Sequence, residues 1–312
     1  MLRCMNDLAI ETRGLGKRFG ERVALESIDL AVPRGTAFGF LGPNGAGKTT
    51  LIRLLLGLAR PTSGSFAVLG HEGAARLGRV GAIIEEPRFH AYLTGRENLE
   101  IHAAARDRDA RNRIPAALDR VGLARRADDR VGGYSLGMRQ RLGVARCLLC
   151  DPELLVLDEP VNGLDPAGIL EFRGLVRSLV DEGRTVWLSS HLLDEVEKTC
   201  DVAAIVDGGR VVAQGTIAEL TGDASHAVEI VAEQSARAAG LLAAVPAVRR
   251  ATEHRGAIRV ELSPESRPDP AVVTALLRAL LDGGVEVARV APVASSLEDR
   301  FLDMTTALKE RA

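Results

Sequence analysis

Hydrophobic and polar positions along the chain predict an alternation of strands and helices. Residues 37–41 form an apolar run of strand length, and leucines then recur at helical spacing, at positions 51, 54, 55 and 58. Further segments with a strand pattern lie before residue 90, at residues 8–12, 23–32, 65–69 and 80–84. This alternation is typical of an α/β fold.

A predominantly helical segment follows, which we predict as a subdomain over about residues 86–150. Its helices are expected at residues 96–106, 110–121 and 138–150. Pro115 is expected to begin or kink the second helix, because proline lacks the N–H that a helix interior requires. Glycines and Ser135 precede the third helix, where exposed backbone N–H groups can hold an anion.

A fully apolar run at residues 154–157 predicts a buried strand of a parallel sheet, because strands covered on both faces show no alternation. A helix at residues 167–182 and another apolar strand at residues 185–189 follow it. We expect ligand-binding residues at the carboxyl ends of these strands, as in other open α/β sheets.

A shift in composition after Gly222 marks the start of a second, smaller domain. The expected order is strand (227–233), helix (235–244), strand (248–252), strand (257–262), helix (270–282), strand (285–290) and terminal helix (296–308). This βαββαβ order predicts a ferredoxin-like α+β domain over residues 223–312, after a first domain over residues 1–222. The second domain is either a docking or regulatory module or a structural appendage.

Composition and charge bear on location and partners. The length of 312 residues suggests about two domains, and the net charge of −2 gives no electrostatic reason to expect a nucleic-acid partner. No apolar run approaches the ~18 residues of a membrane span, and the N-terminus lacks a signal-peptide core. We therefore expect a cytoplasmic chain. Cys147 and Cys150 lie in an apolar helical stretch, so we expect buried side chains rather than a metal or redox pair.

The loop after the strand at residues 37–41 matches the phosphate-binding pattern G-x-x-x-x-G-K-[ST]. Its glycines let successive N–H groups turn towards an anion, and the helix N-terminus adds its positive dipole end. Lys48 can reach the β- and γ-phosphates, and the Thr49 hydroxyl can bind Mg²⁺. The predicted ATP-binding residues of this loop are Gly42, Pro43, Asn44, Gly45, Ala46, Gly47, Lys48, Thr49 and Thr50.

Two adjacent acids, Asp158 and Glu159, follow the apolar run at residues 154–157. Asp158 is placed to hold Mg²⁺, directly or through water, and Glu159 to orient and deprotonate an attacking water molecule. His191, after the next strand, can contact the γ-phosphate or this water molecule. We predict Glu159, His191 and Lys48 as catalytic residues.

Together these segments resemble the ATP-binding subunit of ABC transporters over about residues 8–221. The phosphate loop resembles the Walker A motif, and residues 154–159 resemble Walker B with its catalytic glutamate. Residues 134–138 stand at the ABC signature, residues 162–165 at the D-loop, and His191 at the switch histidine.

The resemblance adds further site residues. It implies that Ser135, Leu136 and Gly137 of the signature bind ATP, and that Glu85, at the place of the Q-loop glutamine, is a metal ligand. Phe19 stands where the family has an adenine-stacking aromatic; from the sequence alone it can also be a core or turn residue.

Three departures from the family pattern narrow the resemblance to one subfamily. Leu136 stands where the family usually has a second glycine beside Gly137, Met138 replaces the signature glutamine, and Glu85 replaces the Q-loop glutamine. This combination is similar to the subfamily that exports bacitracin-like and lantibiotic peptides through separate ABC-2-type permeases. Residues 295–302 also resemble the C-terminal extension of drug-resistance ATPases.

The family resemblance implies a mechanism and partners. Two copies of the chain form a head-to-tail dimer with two ATP molecules and Mg²⁺ between them, each nucleotide on one Walker A and the other chain's signature. A separate ABC-2-type membrane permease docks near the Q-loop and holds the dimer at the inner face of the cell membrane. Two alternatives are an ABC ATPase that acts on ribosomes or nucleic acid, and an ATP-gated binding module with little turnover.

Overall fold

The computed structural model describes residues 7–73, 77–106, 109–221, 227–254, 256–263, 266, 268–293, 296–298, 300 and 301. The chain packs as two compact units, Met1–Ile217 and Ala218–Ala312. The division after residue 222 into an ATP-binding domain and an accessory domain stays a prediction.

The first unit contains strands and helices in alternation, as the hydrophobic pattern predicts. Its strands are β1 (Leu8–Phe19), β2 (Arg22–Pro33), β3 (Ala37–Leu41), β4 (Ser63–Val68), β5 (His71–Glu72), β6 (Val80–Ile83), β7 (Leu154–Asp158), β8 (Thr185–Ser190), β9 (Val202–Asp207) and β10 (Arg210–Thr216). Its helices are α1 (Lys48–Leu55), α2 (Gly95–Ala104), α3 (Ile114–Arg120), α4 (Leu136–Leu148), α5 (Pro166–Asp181) and α6 (Leu193–Thr199); α7 (Ile217–Thr221) begins at its last residue. The elements β5, α6, β9, β10 and α7 have no counterpart among those predicted from the sequence.

The central sheet of the first unit has the strand order β10-β9-β3-β8-β7-β6. Strands β9, β3, β8, β7 and β6 are parallel, and β10 runs antiparallel to β9. Every residue of β3 and β7 is buried, which confirms the expected parallel sheet covered on both faces. Since β3, β8 and β7 are neighbours and run parallel, the segments that follow these three strands leave the sheet at the same edge.

A second, antiparallel sheet has the order β2-β1-β4-β5 and shares a hydrophobic core with the central sheet. In this core Trp187 of β8 packs against Phe38 and Phe40 of β3, with ring centroids 5.0 and 5.1 Å apart. Leu51 and Leu54 of α1 belong to the same cluster. Burying a leucine or phenylalanine side chain contributes about 1.5–3 kcal/mol, so the core holds both ends of the loop between β3 and α1.

Helices α2, α3 and α4 lie between β6 and β7, in the segment for which the sequence predicts helices. A capping box begins α2, because the Thr94 hydroxyl accepts from the Glu97 N–H at 3.1 Å and the Glu97 carboxylate accepts from the Thr94 N–H at 2.8 Å. Pro115 lies in the first turn of α3, so it begins this helix, as predicted. Cys147 of α4 is buried, and burial raises the pKa of its thiol to about 12. Among the described helices, none has the length and apolar content needed to cross a bilayer.

The second unit has the strands β11 (Ala227–Ala232), β12 (Val248–His254), β13 (Ala257–Leu262) and β14 (Val287–Val293), and the helices α8 (Ser235–Ala243) and α9 (Pro270–Asp282). Its sheet is antiparallel, in the order β12-β13-β11-β14. Leu242 of α8 and Leu276 of α9 share its core with Ile230 and Ile258 of the sheet. The predicted βαββαβ order is present, and the ferredoxin-like assignment stays a prediction. The terminal helix predicted at residues 296–308 lies mostly outside the described residues.

Candidate nucleotide-binding site

The loop between β3 and α1 adopts a backbone that only glycine accommodates easily. Gly45 and Gly47 have φ angles of 87° and 102°, in the left-handed region. A Cβ atom at Gly42 would lie 2.3 Å from the carbonyl oxygen of Val206, so this position has no room for a side chain. The glycines of the phosphate-binding pattern are therefore required by the conformation of the loop itself.

Lys48, the first residue of α1, directs its ammonium group back over this loop. Its Nζ donates to the carbonyl oxygens of Gly42 and Pro43, at 2.7 and 3.3 Å, and lies 3.2 Å from Oε1 of Glu159. The side chain is only 6% exposed. A buried ammonium held by three protein oxygens can exchange them for phosphate oxygens without leaving the loop.

Thr49 and Asp158 meet between α1 and the end of β7. The Thr49 hydroxyl donates to Oδ2 of Asp158 at 2.9 Å, and Asp158 is 3% exposed. Hydroxyl and carboxylate oxygens are ligands that suit Mg²⁺, which uses one or two carboxylates together with substrate phosphates. Within the described ranges no three or more His, Cys, Asp or Glu residues are placed to hold a metal ion by themselves, and Mg²⁺ bound through a nucleotide does not need such a group. The residues present therefore fit the cation.

Glu159 lies at the centre of the polar contacts at this edge of the sheet. Its φ angle is 48°, which is uncommon for a residue with a side chain. Oε1 faces Lys48, and Oε2 lies 2.8 Å from Nδ1 of His191. A carboxylate oriented by an imidazole and an ammonium can accept a proton from water close to a bound phosphate.

Ser189 is a further residue at this edge that our sequence reasoning missed. Its buried hydroxyl hydrogen-bonds Oδ1 of Asp158 and the backbone N–H of Glu159. The parallel register of β7 and β8 places Ser189 opposite Asp158. The polar end of an otherwise apolar strand was the available signal, but only the register shows which residue it faces.

The signature residues form a separate surface. Ser135 caps α4, since its hydroxyl accepts from the N–H of Met138 at 3.2 Å. Burial raises the pKa of the neighbouring Tyr134 phenol, whose hydroxyl donates to a backbone carbonyl at 2.6 Å. In the described part of the chain, no hydrogen bond or ion pair joins Ser135, Leu136 or Gly137 to the loop at residues 42–50.

A cleft of about 380 Å³ lies between the signature and the D-loop, and Leu136, Gly137, Gly163 and Asp165 are among the residues that line it. A Cβ atom at Gly163 would lie 3.0 Å from the Leu136 side chain, so the glycine leaves room for this leucine. The departure from the family's glycine at position 136 is thus accommodated within the chain.

Glu85 and Phe19 lie apart from the cluster around Glu159. Glu85 has a φ angle of 61° and forms an exposed ion pair with Arg53 of α1, at 3.2 Å. Phe19 is 55% exposed, with the ammonium of Lys17 4.8 Å from its ring centroid. This exposure excludes a core position for Phe19 and leaves its ring accessible for stacking.

Comparisons with known proteins agree on one family. The sequence model of the ABC transporter family matches residues 25–162. The ABC transporter ATP-binding protein YdbJ of Bacillus subtilis is 38% identical over 311 residues, covering 98% of each chain. The daunorubicin resistance ATP-binding protein DrrA3 of Streptomyces coeruleorubidus is 39% identical over 314 residues, covering 96% of this chain and 97% of the relative. The bacitracin transport ATP-binding protein BcrA of Bacillus licheniformis is 46% identical over 207 residues, covering 65% of this chain and 68% of the relative.

The comparison with solved structures points to the same family. The solved structure of cbiO1 from Clostridium perfringens, part of the ABC transporter complex cbiONQ, superposes with a TM-score of 0.65 at 27% identity, covering 70% of this chain and 92% of that one. This likeness confirms the expected P-loop ATPase fold of the first unit. With a relative of 38% identity along almost its whole length, the chain belongs to the ABC transporter ATPases, as an ATP-binding subunit.

Proposed function

We propose that this chain hydrolyses ATP to power export of a peptide antibiotic, a drug or a lipid through a separate ABC-2-type permease. The observation that carries the proposal is the position of Glu159 between Lys48 and His191, at 3.2 and 2.8 Å. One edge of the sheet thereby holds an ammonium group that can bind phosphate, a carboxylate that can act as a base, and an imidazole. Thr49 and Asp158 add oxygen ligands for the Mg²⁺ ion that phosphoryl transfer to water requires.

In this proposal, hydrolysis begins when Lys48 exchanges its contacts with protein oxygens for contacts with phosphate oxygens. The phosphates of ATP accept hydrogen bonds from backbone N–H groups of residues 44–49, and the Lys48 ammonium moves from protein oxygens to the β- and γ-phosphates. Glu159 is released from Lys48 and takes a proton from the attacking water, whose oxygen bonds to the γ-phosphorus while the bond from the γ-phosphorus to the ADP oxygen breaks. His191 keeps the Glu159 carboxylate oriented through Oε2 and contacts the γ-phosphate.

Mg²⁺ is the cation we assign to this site, with Thr49, Asp158 and Glu85 as its proposed ligands. When bound, it neutralises charge on the phosphates. Glu85 has to leave Arg53 to take part, and an exposed ion pair of this kind contributes little to stability. The exchange is therefore available without disturbing the core.

A second copy of the chain completes each site. The signature residues Ser135, Leu136 and Gly137 have no described bond to the phosphate loop of their own chain, which supports a head-to-tail dimer. ATP then favours the closed dimer because only there it contacts both chains. Hydrolysis removes the γ-phosphate and reopens the pair, which the permease near Glu85 senses.

The proposed cargo rests on the relatives. BcrA is described as a bacitracin transport protein and DrrA3 as a daunorubicin resistance protein, and the similarity to DrrA3 extends over 96% of this chain. Both names support an antibiotic or a drug as the cargo. The permease would hold the chain at the inner face of the membrane.

The test is a transport assay with the natural partner. The tagged chain is purified from detergent-solubilised membranes, the copurifying membrane protein is identified, and both are reconstituted in vesicles. We expect ATP-dependent movement of bacitracin or daunorubicin that is lost with Lys48→Ala. A chain that sediments with ribosomes or nucleic acid and has no membrane partner would support the non-transport alternative instead.

A further inference from the structure

The side chain of Ser189 lies between the two acids that follow the apolar run of β7. It is fully buried, at 0% exposure, and its backbone stands opposite Asp158 in the register of β7 and β8. Its hydroxyl donates to Oδ1 of Asp158 and accepts from the backbone N–H of Glu159 at 3.0 Å. A serine hydroxyl has one proton to donate and lone pairs to accept, so both bonds form at once.

We propose that Ser189 is a positioning residue for ATP hydrolysis, which orients the Asp158 carboxylate towards the Mg²⁺–nucleotide and holds the backbone of Glu159. The inference rests on the proposed function of the same site. Ser189 acts through its two neighbours and needs no contact of its own with phosphate or water.

The orientation of Asp158 depends on two hydroxyl groups from different elements. Thr49 of α1 donates to Oδ2 at 2.9 Å, and Ser189 of β8 donates to Oδ1. If Mg²⁺ takes the Thr49 hydroxyl as a ligand, it does so through an oxygen lone pair, so the position of this donor would follow the bound cation. Ser189 donates from β8, which supplies none of the proposed ligands, and keeps the carboxylate plane in place while the cation binds.

The backbone of Glu159 needs support because its φ angle of 48° is unfavourable for a residue with a Cβ atom. Its N–H is shared between the carbonyl oxygen of Ser189, at 3.1 Å, and the Ser189 hydroxyl, at 3.0 Å. This double acceptor fixes the turn from which the Glu159 side chain reaches Lys48 and His191. Without the hydroxyl the main-chain bond persists, so the turn should loosen rather than unfold.

The same strand offers a matched control. Thr185, at the other end of β8, is 2% exposed, and its hydroxyl accepts from the N–H of Gly35 at 3.0 Å. Thr185→Val removes a buried hydroxyl from β8 as Ser189→Ala does, but far along the strand from Asp158. A general cost of removing a buried hydroxyl should therefore affect both variants alike.

The first measurement is binding without turnover. Calorimetry gives the affinity of the full chain for a non-hydrolysable ATP analogue, with Mg²⁺ and with EDTA. In EDTA, we expect the affinity of Ser189→Ala for the analogue to be within about 2-fold of the wild-type affinity. The factor by which Mg²⁺ increases this affinity should be at least about 5-fold smaller than in wild type. Thr185→Val should keep the whole gain, and Ser189→Thr, which retains the hydroxyl, should restore it.

The second measurement is ATP hydrolysis. Ser189→Ala should lower kcat by about 10-fold, raise the Mg²⁺ concentration for half-maximal activity, and leave KM for ATP within about 3-fold. Thermal unfolding checks that each variant is folded. If Ser189→Ala does not fold, Ser189→Cys keeps the volume with a weak donor and should shift the same quantities in the same direction.

Two results would overturn the inference. One is a folded Ser189→Ala chain with wild-type kcat and a wild-type Mg²⁺ gain; the other is equal losses in Ser189→Ala and Thr185→Val. If the wild-type chain hydrolyses ATP in either case, the proposed function stands and only the role of Ser189 is wrong. A wild-type chain that binds ATP but does not hydrolyse it contradicts both.

Discussion

The ammonium group of Lys48 lies 3.2 Å from Oε1 of Glu159, so the proposed phosphate-binding cation and the proposed base form an ion pair in this structure. The Gly42 carbonyl holds Lys48 from one side at 2.7 Å, and His191 holds Glu159 from the other at 2.8 Å. In the proposed mechanism, Lys48 turns to phosphate oxygens and Glu159 becomes available to water. ATP binding would then release the base.

Glu85 should matter more for coupling to the permease than for nucleotide affinity. Its carboxylate pairs with Arg53 in an exposed contact, so its removal costs the fold little. We expect Glu85→Ala to keep ATP affinity within about 3-fold and to reduce stimulation of the ATPase by the permease in vesicles. Glu85→Gln, which restores the residue usual in the family, serves as control and should retain stimulation. Unchanged stimulation in Glu85→Ala would remove the coupling role.

Removal of residues 223–312 should leave ATP binding measurable. The two compact units have separate hydrophobic cores, and every predicted nucleotide-binding residue lies in the first. Fluorescent-nucleotide titration of the truncated chain should give an affinity within about 5-fold of the full chain, with truncated Lys48→Ala as the non-binding control. A truncated chain that is folded yet binds no nucleotide would show that the proposed domain boundary is wrong.

Sequence patterns located those elements whose structure depends on local composition. β3 spans Ala37–Leu41, as predicted, because an uninterrupted apolar run has one stable place in a sheet covered on both faces. β1 extends beyond the predicted residue 12 to Phe19, since it pairs with β2 on one side and β4 on the other. Such pairing depends on residues distant in the sequence, which a local pattern does not contain.

The same distinction holds within the site. The spacing of the phosphate loop and the acids after β7 identified Lys48, Asp158 and Glu159 as candidates. The role of Ser189 depends on the register of β7 against β8, and the partner of Glu85 on the approach of Arg53 from α1. These are relationships between elements, so they became visible only in the folded chain.

Mixed dimers test whether one chain's signature serves the other chain's nucleotide. Lys48→Ala removes the ammonium group that we propose binds phosphate, and Ser135→Arg puts a bulky side chain at the residue that caps α4. Each homodimer should therefore be nearly inactive. A mixed dimer pairs the intact phosphate loop of one chain with the intact signature of the other. Mixing should therefore restore part of the ATPase activity. With mixed dimers verified by differential tags, no recovery would contradict the head-to-tail arrangement.

The most direct test of the central claim is the nucleotide content and turnover of Glu159→Gln. The amide keeps the shape of the side chain but loses the base and the charge that pairs with Lys48, so ATP should bind at least as tightly as in wild type while hydrolysis stops. Size-exclusion chromatography with ATP and Mg²⁺ should then show a long-lived dimer that contains unhydrolysed ATP. Hydrolysis by Glu159→Gln at close to the wild-type rate would contradict the account, because the water would have to be activated elsewhere.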